Sequence, residues 1–230
     1  MEVVDVRGLL GLLISDGSLV PYRTPGGGYV QLTLTAGSSE SAFLEEKVKE
    51  FKQFIQTKAQ IVPYKTTPRH NGKTTSILRF RVSTNKLRPV YNLLYPVGER
   101  QITTTALDLL GAKAAAWTWA EGVRLQSNGS SVLTRVGSSV EEAIIFSQWL
   151  SVLTGAAAEI DSNYVRPRLK FDPSQTKKIQ DSLFKYAPET RKHLFTGEEW
   201  DVSSISNART ELQLGQRDLV LEGEKKKTLA

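Results

Sequence analysis

Residues 8–20 read GLLGLLISDGSLV, an apolar run of helical length that closes on an acid and a glycine, Asp16-Gly17. Residues 113–125, KAAAWTWAEGVRL, are built the same way and close on Glu121-Gly122. A carboxylate at a helix C-terminus is electrostatically misplaced, because the helix dipole already puts partial negative charge there. Two such carboxylates brought together also repel. Both costs disappear when a divalent cation binds between them. Taken singly, each pair reads as an ordinary C-cap, with the glycine supplying the left-handed residue. Their recurrence in matched places turns the reading toward a shared metal site. Gly11, set against Ala115 and Ala116, supplies small residues that let two such helices approach closely.

The recurrence extends outward. Gly37-Ser38-Ser39 precedes the helical stretch FLEEKVKEFKQFI, and Gly137-Ser138-Ser139 precedes AIIFSQWLSVL. Arg79-Phe80-Arg81 and Arg168-Leu169-Lys170 each precede a further helical stretch. The three offsets, 105, 100 and 89 residues in chain order, only shrink, so the chain reads as two copies of one long unit and not as a solenoid of short repeats.

Within the units, residues 29–35 (YVQLTLT) alternate, with Val30, Leu32 and Leu34 on one face and Gln31, Thr33 and Thr35 on the other. Period two with β-branched residues predicts a half-buried strand. Residues 76–83 alternate likewise, and in the second unit Val165, Pro167, Leu169 and Phe171 oppose Arg166, Arg168 and Lys170. Phe43, Leu44, Val48, Phe51 and Ile55 fall at helical spacing. Ser138-x-x-Glu141 reads as a capping box and Asp172-Pro173 as an N-cap with proline at the first helical position. The expected fold is α+β, two tandem αββαββα units forming a pseudo-twofold saddle with antiparallel sheets. The halves are residues 1–100 and 101–196. Residues 197–230 form a C-terminal extension in which periodicity fades, expected to be partly disordered.

Composition removes most chemistries. There is no Cys, which excludes disulfide scaffolds, Cys-ligated zinc, iron–sulfur clusters and thiol nucleophiles. His70 and His193 are the only histidines, too few for a His-built metal or acid–base site. The chain has 30 Lys+Arg against 24 Asp+Glu, a net charge of +6 that suits a polyanionic partner. No apolar stretch reaches the ~18–20 residues of a membrane span. The opening MEVVDVRG is acidic, and no signal peptide is expected there. These features lead to the expectation of an intracellular protein, in a bacterial cytoplasm or an organelle.

LLGLLISDG (9–17) resembles the LAGLIDADG motif, and AAAWTWAEG (114–122) a degenerate second copy. The doubled element order over residues 8–195 resembles the single-chain LAGLIDADG homing endonucleases, and RFRVSTNKLRPVYNLLYP (79–96) the strand-to-helix segment of that family's DNA-endonuclease branch. The resemblance implies two sheets seated in the DNA major groove and motif helices packed at the domain interface. It also implies that Asp16 and Glu121 hold Mg2+ (or Mn2+) over the scissile phosphates, with a basic residue near each acid. Candidates for the basic residues are Arg81 and Lys170. Ala120 departs from the acidic residue often found before the second motif's acid.

The polar strand faces carry Arg, Lys, Gln and Thr and almost no acid. Side chains of these types read base edges and phosphates. The candidates for DNA contact are Arg23, Gln31, Thr33, Thr35, Lys65, Arg69 and Arg79 in the first unit, and Arg124, Gln126, Arg135, Arg166 and Arg168 in the second. The resulting expectation is a monomeric, site-specific endonuclease making a metal-dependent double-strand break at a long asymmetric DNA target. Two alternatives use the same fold: an RNA-binding group I intron maturase, with intron RNA as partner, and a non-catalytic DNA-binding protein.

Overall fold

Val30, Leu32 and Leu34 are fully buried and alternate with more exposed neighbours, which fixes one strand of a sheet with a single covered face. The computed structural model describes residues 5–25, 27–66 and 75–196. The basic tip at 68–73, with Arg69 and His70, and the extension from residue 197 lie outside the described residues.

The first half runs α1 (Val6–Leu13), β1 (Ser18–Thr24), β2 (Gly27–Ala36), α2 (Ser41–Phe54), β3 (Ile61–Lys65), β4 (Ser76–Thr84) and α3 (Arg88–Leu94). A short α4 (Thr104–Leu107) leads into α5 (Ala112–Gly122), β5 (Val123–Leu125), β6 (Ser131–Leu133), α6 (Val140–Thr154), β7 (Glu159–Asp161), β8 (Arg168–Phe171) and α7 (Pro173–Leu183), followed by a short α8 (His193–Thr196). The sheets have orders β1-β2-β4-β3 and β5-β6-β8-β7, antiparallel throughout. The αββαββα unit therefore occurs twice, as the repeat in the sequence implies.

Register ties the halves together residue by residue. Phe80 lies opposite Ile61 and Leu34, and Leu169 opposite Ile160 and Leu133. Arg79 and Arg168 are therefore equivalent positions, each on the penultimate strand of its sheet. The Phe80 and Leu169 side chains are fully buried and Phe171 nearly so, with the apolar stripe of α2 over the first sheet.

Motif helices α1 and α5 lie in the core. Leu9, Leu10 and Leu13 of α1 and Ala115, Ala116 and Trp119 of α5 are at most 1% exposed. Their contact rests on Gly11, where a Cβ would lie 2.9 Å from the Cβ of Ala114; the closest small partner is Ala114, one turn-position earlier than the sequence reading placed it. Trp117 and Trp119 are core residues. Trp119 donates to the carbonyl of Leu194 at 3.3 Å, and Trp117 stacks on Phe43 with ring centroids 5.7 Å apart.

Three local readings are corrected. Val165 is fully exposed and, with Pro167, lies outside β8, which starts at Arg168. The Asp161 carboxylate accepts from the Asn163 amide at 3.1 Å and turns the chain out of the sheet before β8 begins. The α6 capping box sits one residue later than Ser138-x-x-Glu141. Ser139 is the N-cap, accepting from Glu142 N at 3.3 Å, and the Glu142 carboxylate accepts from the amides of Ser138 at 2.5 Å and Ile102 at 3.3 Å. The shift lets one buried carboxylate cap a helix and also hold the segment joining the halves. Gly17 has the expected left-handed φ of 87°, whereas Gly122 stays inside α5. There the Thr134 amide and hydroxyl donate to the Gly122 carbonyl at 3.1 and 2.9 Å, and an added Cβ would lie 2.4 Å from the Thr134 carbonyl oxygen.

Gly122→Ala is accordingly expected to destabilise by about 1–3 kcal/mol, since backbone has to move. Gly111→Ala, where a Cβ meets nothing within 4 Å, is expected to stay within about 0.5 kcal/mol. Denaturant unfolding of the two variants checks the pair.

Candidate functional site

The two matched acids meet. Asp16 lies in the bend after α1 and Glu121 in the last turn of α5, at the ends of helices held together through Gly11 and Ala114. Two cations bridge them. Lys47 Nζ lies 3.1 Å from Asp16 Oδ2 and hydrogen-bonds Glu121 Oε1. Arg135 Nη1 donates to the other oxygen of each acid, Asp16 Oδ1 at 3.0 Å and Glu121 Oε2 at 2.9 Å. The four side chains form a closed ring of alternating charge.

Each member is placed by its element. Lys47 is on the buried stripe of α2, between Leu44 and Val48, and is 1% exposed. Arg135 follows Thr134, which is tied to Gly122, and adopts a left-handed φ of 64°. That conformation costs a non-glycine residue roughly 1 kcal/mol, offset here by two charge-assisted hydrogen bonds. Arg100, from the segment joining the halves, covers the C-terminal carbonyls of α1. Its guanidinium donates to the carbonyls of Leu13 and Gly17, and to that of Asp16 at 3.4 Å. A fixed cation at a helix C-terminus offsets the unfavourable dipole beside Asp16.

Their surroundings push the two carboxyls in opposite directions. Burial disfavours ionised Asp16, but Lys47 and Arg135 outweigh it and hold its carboxyl below the usual value. Glu121 has a side chain 6% exposed against 25% for Asp16. Its burial, with the Asp16 charge added, outweighs the attraction of Lys47 and pushes its carboxyl up.

Clefts flank the ring. One of about 590 Å3 is lined by Asp16, Thr33, Thr35, Arg100, Arg135 and Arg166. Another of about 410 Å3 is lined by Asp16, Lys47, Glu121, Arg135 and Arg191 among others. The candidates Thr33, Thr35, Arg135 and Arg166 are thus brought to the acids. Arg23, Gln31, Lys65, Arg79, Arg124, Gln126 and Arg168 lie on or next to the strands, and none of them lines these two clefts. Arg81 and Lys170 are not the basic residues at the acids. Lys170 pairs with Asp161 at 2.8 Å, and Arg81 is exposed opposite Thr33 on β2. The cations at the acids come instead from α2 and from the residue after Thr134. Sequence reasoning missed Lys47 and Arg100.

The ring also tests the site for a metal. Both carboxylates reach one nitrogen at 3.0 and 2.9 Å, so a single cation can touch both. Among the described residues no group of three or more His, Cys, Asp or Glu is placed to hold a metal. Two carboxylates with open space beside them suit Mg2+ or Mn2+, which keep several waters and draw further oxygens from a phosphate-bearing substrate. The residues fit such an ion.

The family model described as the LAGLIDADG DNA endonuclease family matches residues 7–179, which take in both motif helices and all the described strands. The chain belongs to the LAGLIDADG DNA endonuclease family. No curated protein matches it. Solved LAGLIDADG structures share its fold. The homing endonuclease I-WcaI bound to its DNA recognition sequence superimposes with a TM-score of 0.66 at 14% identity, over 85% of this chain and 88% of that one. A variant of I-DmoI in complex with its target DNA and magnesium gives 0.51 at 18% identity, over 77% and 94%. Among the described residues of this LAGLIDADG chain, no helix is long and apolar enough to cross a membrane.

Proposed function

We propose that the chain is a divalent-metal-dependent endodeoxyribonuclease that cuts both strands of a long, asymmetric duplex target, the activity of intron homing. It acts as a monomer whose halves, residues 1–100 and 101–196, each cover one half-site. The observation that carries this reading is the acid pair: carboxylates from matched positions of a duplicated unit share cations 3 Å away, between two sheets with polar faces. That the structural relatives are complexes of endonucleases with DNA supports duplex DNA as the partner.

Asp16 and Glu121 are the residues that would hold Mg2+ or Mn2+. Such an ion would supply a more acidic bound water and neutralise charge developing on the phosphate. Arg135 is the group that gives way. Its side chain is 45% exposed, whereas that of Lys47 is 2% exposed and locked in α2. A guanidinium leaving the carboxylates on the cleft side is then placed for a phosphate oxygen. Lys47 stays paired with both acids, favours their ionised forms and holds their separation.

The test is incubation with a randomised duplex library and Mg2+, followed by sequencing of the ends. Double-strand ends from one asymmetric site are expected, lost in EDTA, with affinity falling steeply with salt as counterions are released. Duplex binding without ends in any divalent metal would show a non-catalytic binding protein. Tighter binding to structured RNA than to any duplex would show the maturase.

A further inference from the structure

The equivalent arginines of the two sheets share a contact that the ring at the acids does not use. The Arg79 guanidinium lies over the Tyr64 ring, 3.7 Å from its centroid, and the Arg168 guanidinium over the Tyr164 ring at 3.4 Å. The arginines are matched by register, but the tyrosines are not. Tyr64 lies within β3, two residues beyond the residue paired with Arg79. Tyr164 lies outside any strand, in the bend after β7, three residues beyond the residue paired with Arg168. The same stacked pair is therefore reached from two different backbones, which a feature inherited passively with the repeat would not require.

Neither guanidinium is engaged elsewhere among the described residues. Among the described residues neither donates a hydrogen bond or meets a carboxylate, and Arg79 Nε is buried with no partner. Asp161, opposite Arg168 in the ladder, is taken by Lys170 at 2.8 Å. The tyrosines are 36% and 50% exposed, so each pair stands at the sheet surface and not in the core.

We infer that Arg79–Tyr64 and Arg168–Tyr164 are matched guanine readers, one in each half-site. This rests on the duplex-DNA reading above. A phosphate is satisfied by a positive charge in many orientations, whereas guanine O6 and N7 require a planar fork held in one plane. Stacking on a tyrosine fixes that plane and removes the rotamer freedom that binding would otherwise have to freeze out. Both arginines lie on interior strands of their sheets, the second in each order from one edge, which suits a groove-facing position. The unused terminal amino groups are the donors for O6 and N7.

The test is selection of a randomised duplex library for binding, in EDTA so that no strand is cut. It compares wild type with Arg79→Lys, Arg168→Lys, Tyr64→Leu and Tyr164→Leu, and with Tyr64→Phe and Tyr164→Phe, which keep the ring. The wild type is expected to hold guanine at one position in each half-site. Arg→Lys or Tyr→Leu lowers that preference about 5- to 150-fold at the one position in its own half. Tyr→Phe retains the preference. Equal melting temperatures keep folding out of the comparison. If the arginine or leucine variants weaken every sequence alike and leave base preferences unchanged, the arginines are phosphate contacts and the inference is overturned while duplex binding stands. A wild-type chain that enriches no duplex overturns the nuclease reading and this inference together.

Discussion

Asp16→Asn and Glu121→Gln are each expected to lower cleavage of at least one strand by about 10³-fold or more, with duplex affinity changed by no more than a few-fold. Metal-ion catalysis supplies several kcal/mol of barrier lowering, and each 1.4 kcal/mol is tenfold in rate, so losing one of two carboxylate ligands has an effect of this order. The amides keep the shape of the acids, although one acceptor oxygen of each becomes a donor facing Lys47 or Arg135, and the packing of Gly11 on Ala114 is untouched. Binding survives because both substitutions leave every candidate DNA-contact side chain in place. Strand-specific cleavage and a gel-shift titration on the same target check both halves of the expectation, and wild-type cutting of both strands by either variant removes the metal assignment. A stability measurement in metal-free buffer adds a sign. The fold favours ionised Asp16, whose carboxyl is held below its usual value by Lys47 and Arg135 against the opposing effect of burial. Its contribution is present above the unfolded-state pKa and is lost as pH falls through the folded one. Asp16→Asn therefore melts lower than wild type at neutral pH, and the gap closes in acid.

What the sequence displays and what it hides follow from how far apart the interacting residues lie. The alternation at Val30, Leu32 and Leu34 and the stripe Phe43, Leu44, Val48, Phe51 and Ile55 are local patterns, and each becomes a buried face. The acid–glycine helices were legible because the unit occurs twice. Lys47 was not, although it sits at the right spacing on that buried stripe, three residues after Leu44. A lysine there reads as solvated until its partners are known, and they lie 31 and 74 residues away. Arg135 was legible as a cation but not as a bridge, since nothing in a non-glycine residue announces a left-handed backbone. The second sheet is made of strands of three and four residues, too short for alternation to mark their ends, which is why Val165 was drawn into β8.

Lys47→Met is expected to have the second-largest effect, on stability and rate together. The lysine is 1% exposed and holds both acids, so replacing it with an apolar side chain of similar length leaves two carboxylates facing each other with Arg135 alone to separate them. Removing one partner of a buried ionic cluster costs about 3–5 kcal/mol. For a folded unit of this size that lowers the melting temperature by roughly 6–20 °C. A divalent cation can enter the gap. Mg2+ is therefore expected to raise the melting temperature of the variant by more than that of the wild type. The rate, measured where the variant is folded, should fall about 10²-fold, the usual effect of deleting one pre-placed charge at a reacting centre. The loss should also be unequal between strands. Aligning the buried faces of α2 and α6, Leu44 with Ala143 and Phe51 with Leu150, puts Phe146 at the position of Lys47. The second half thus supplies no ammonium of its own, and nicked duplex should accumulate in the variant's reaction. Melting curves with and without Mg2+, beside a time course resolving nicked from broken duplex, test this. A variant as stable as wild type, or one slowed equally on both strands, would show that Lys47 is not the charge that organises the acids.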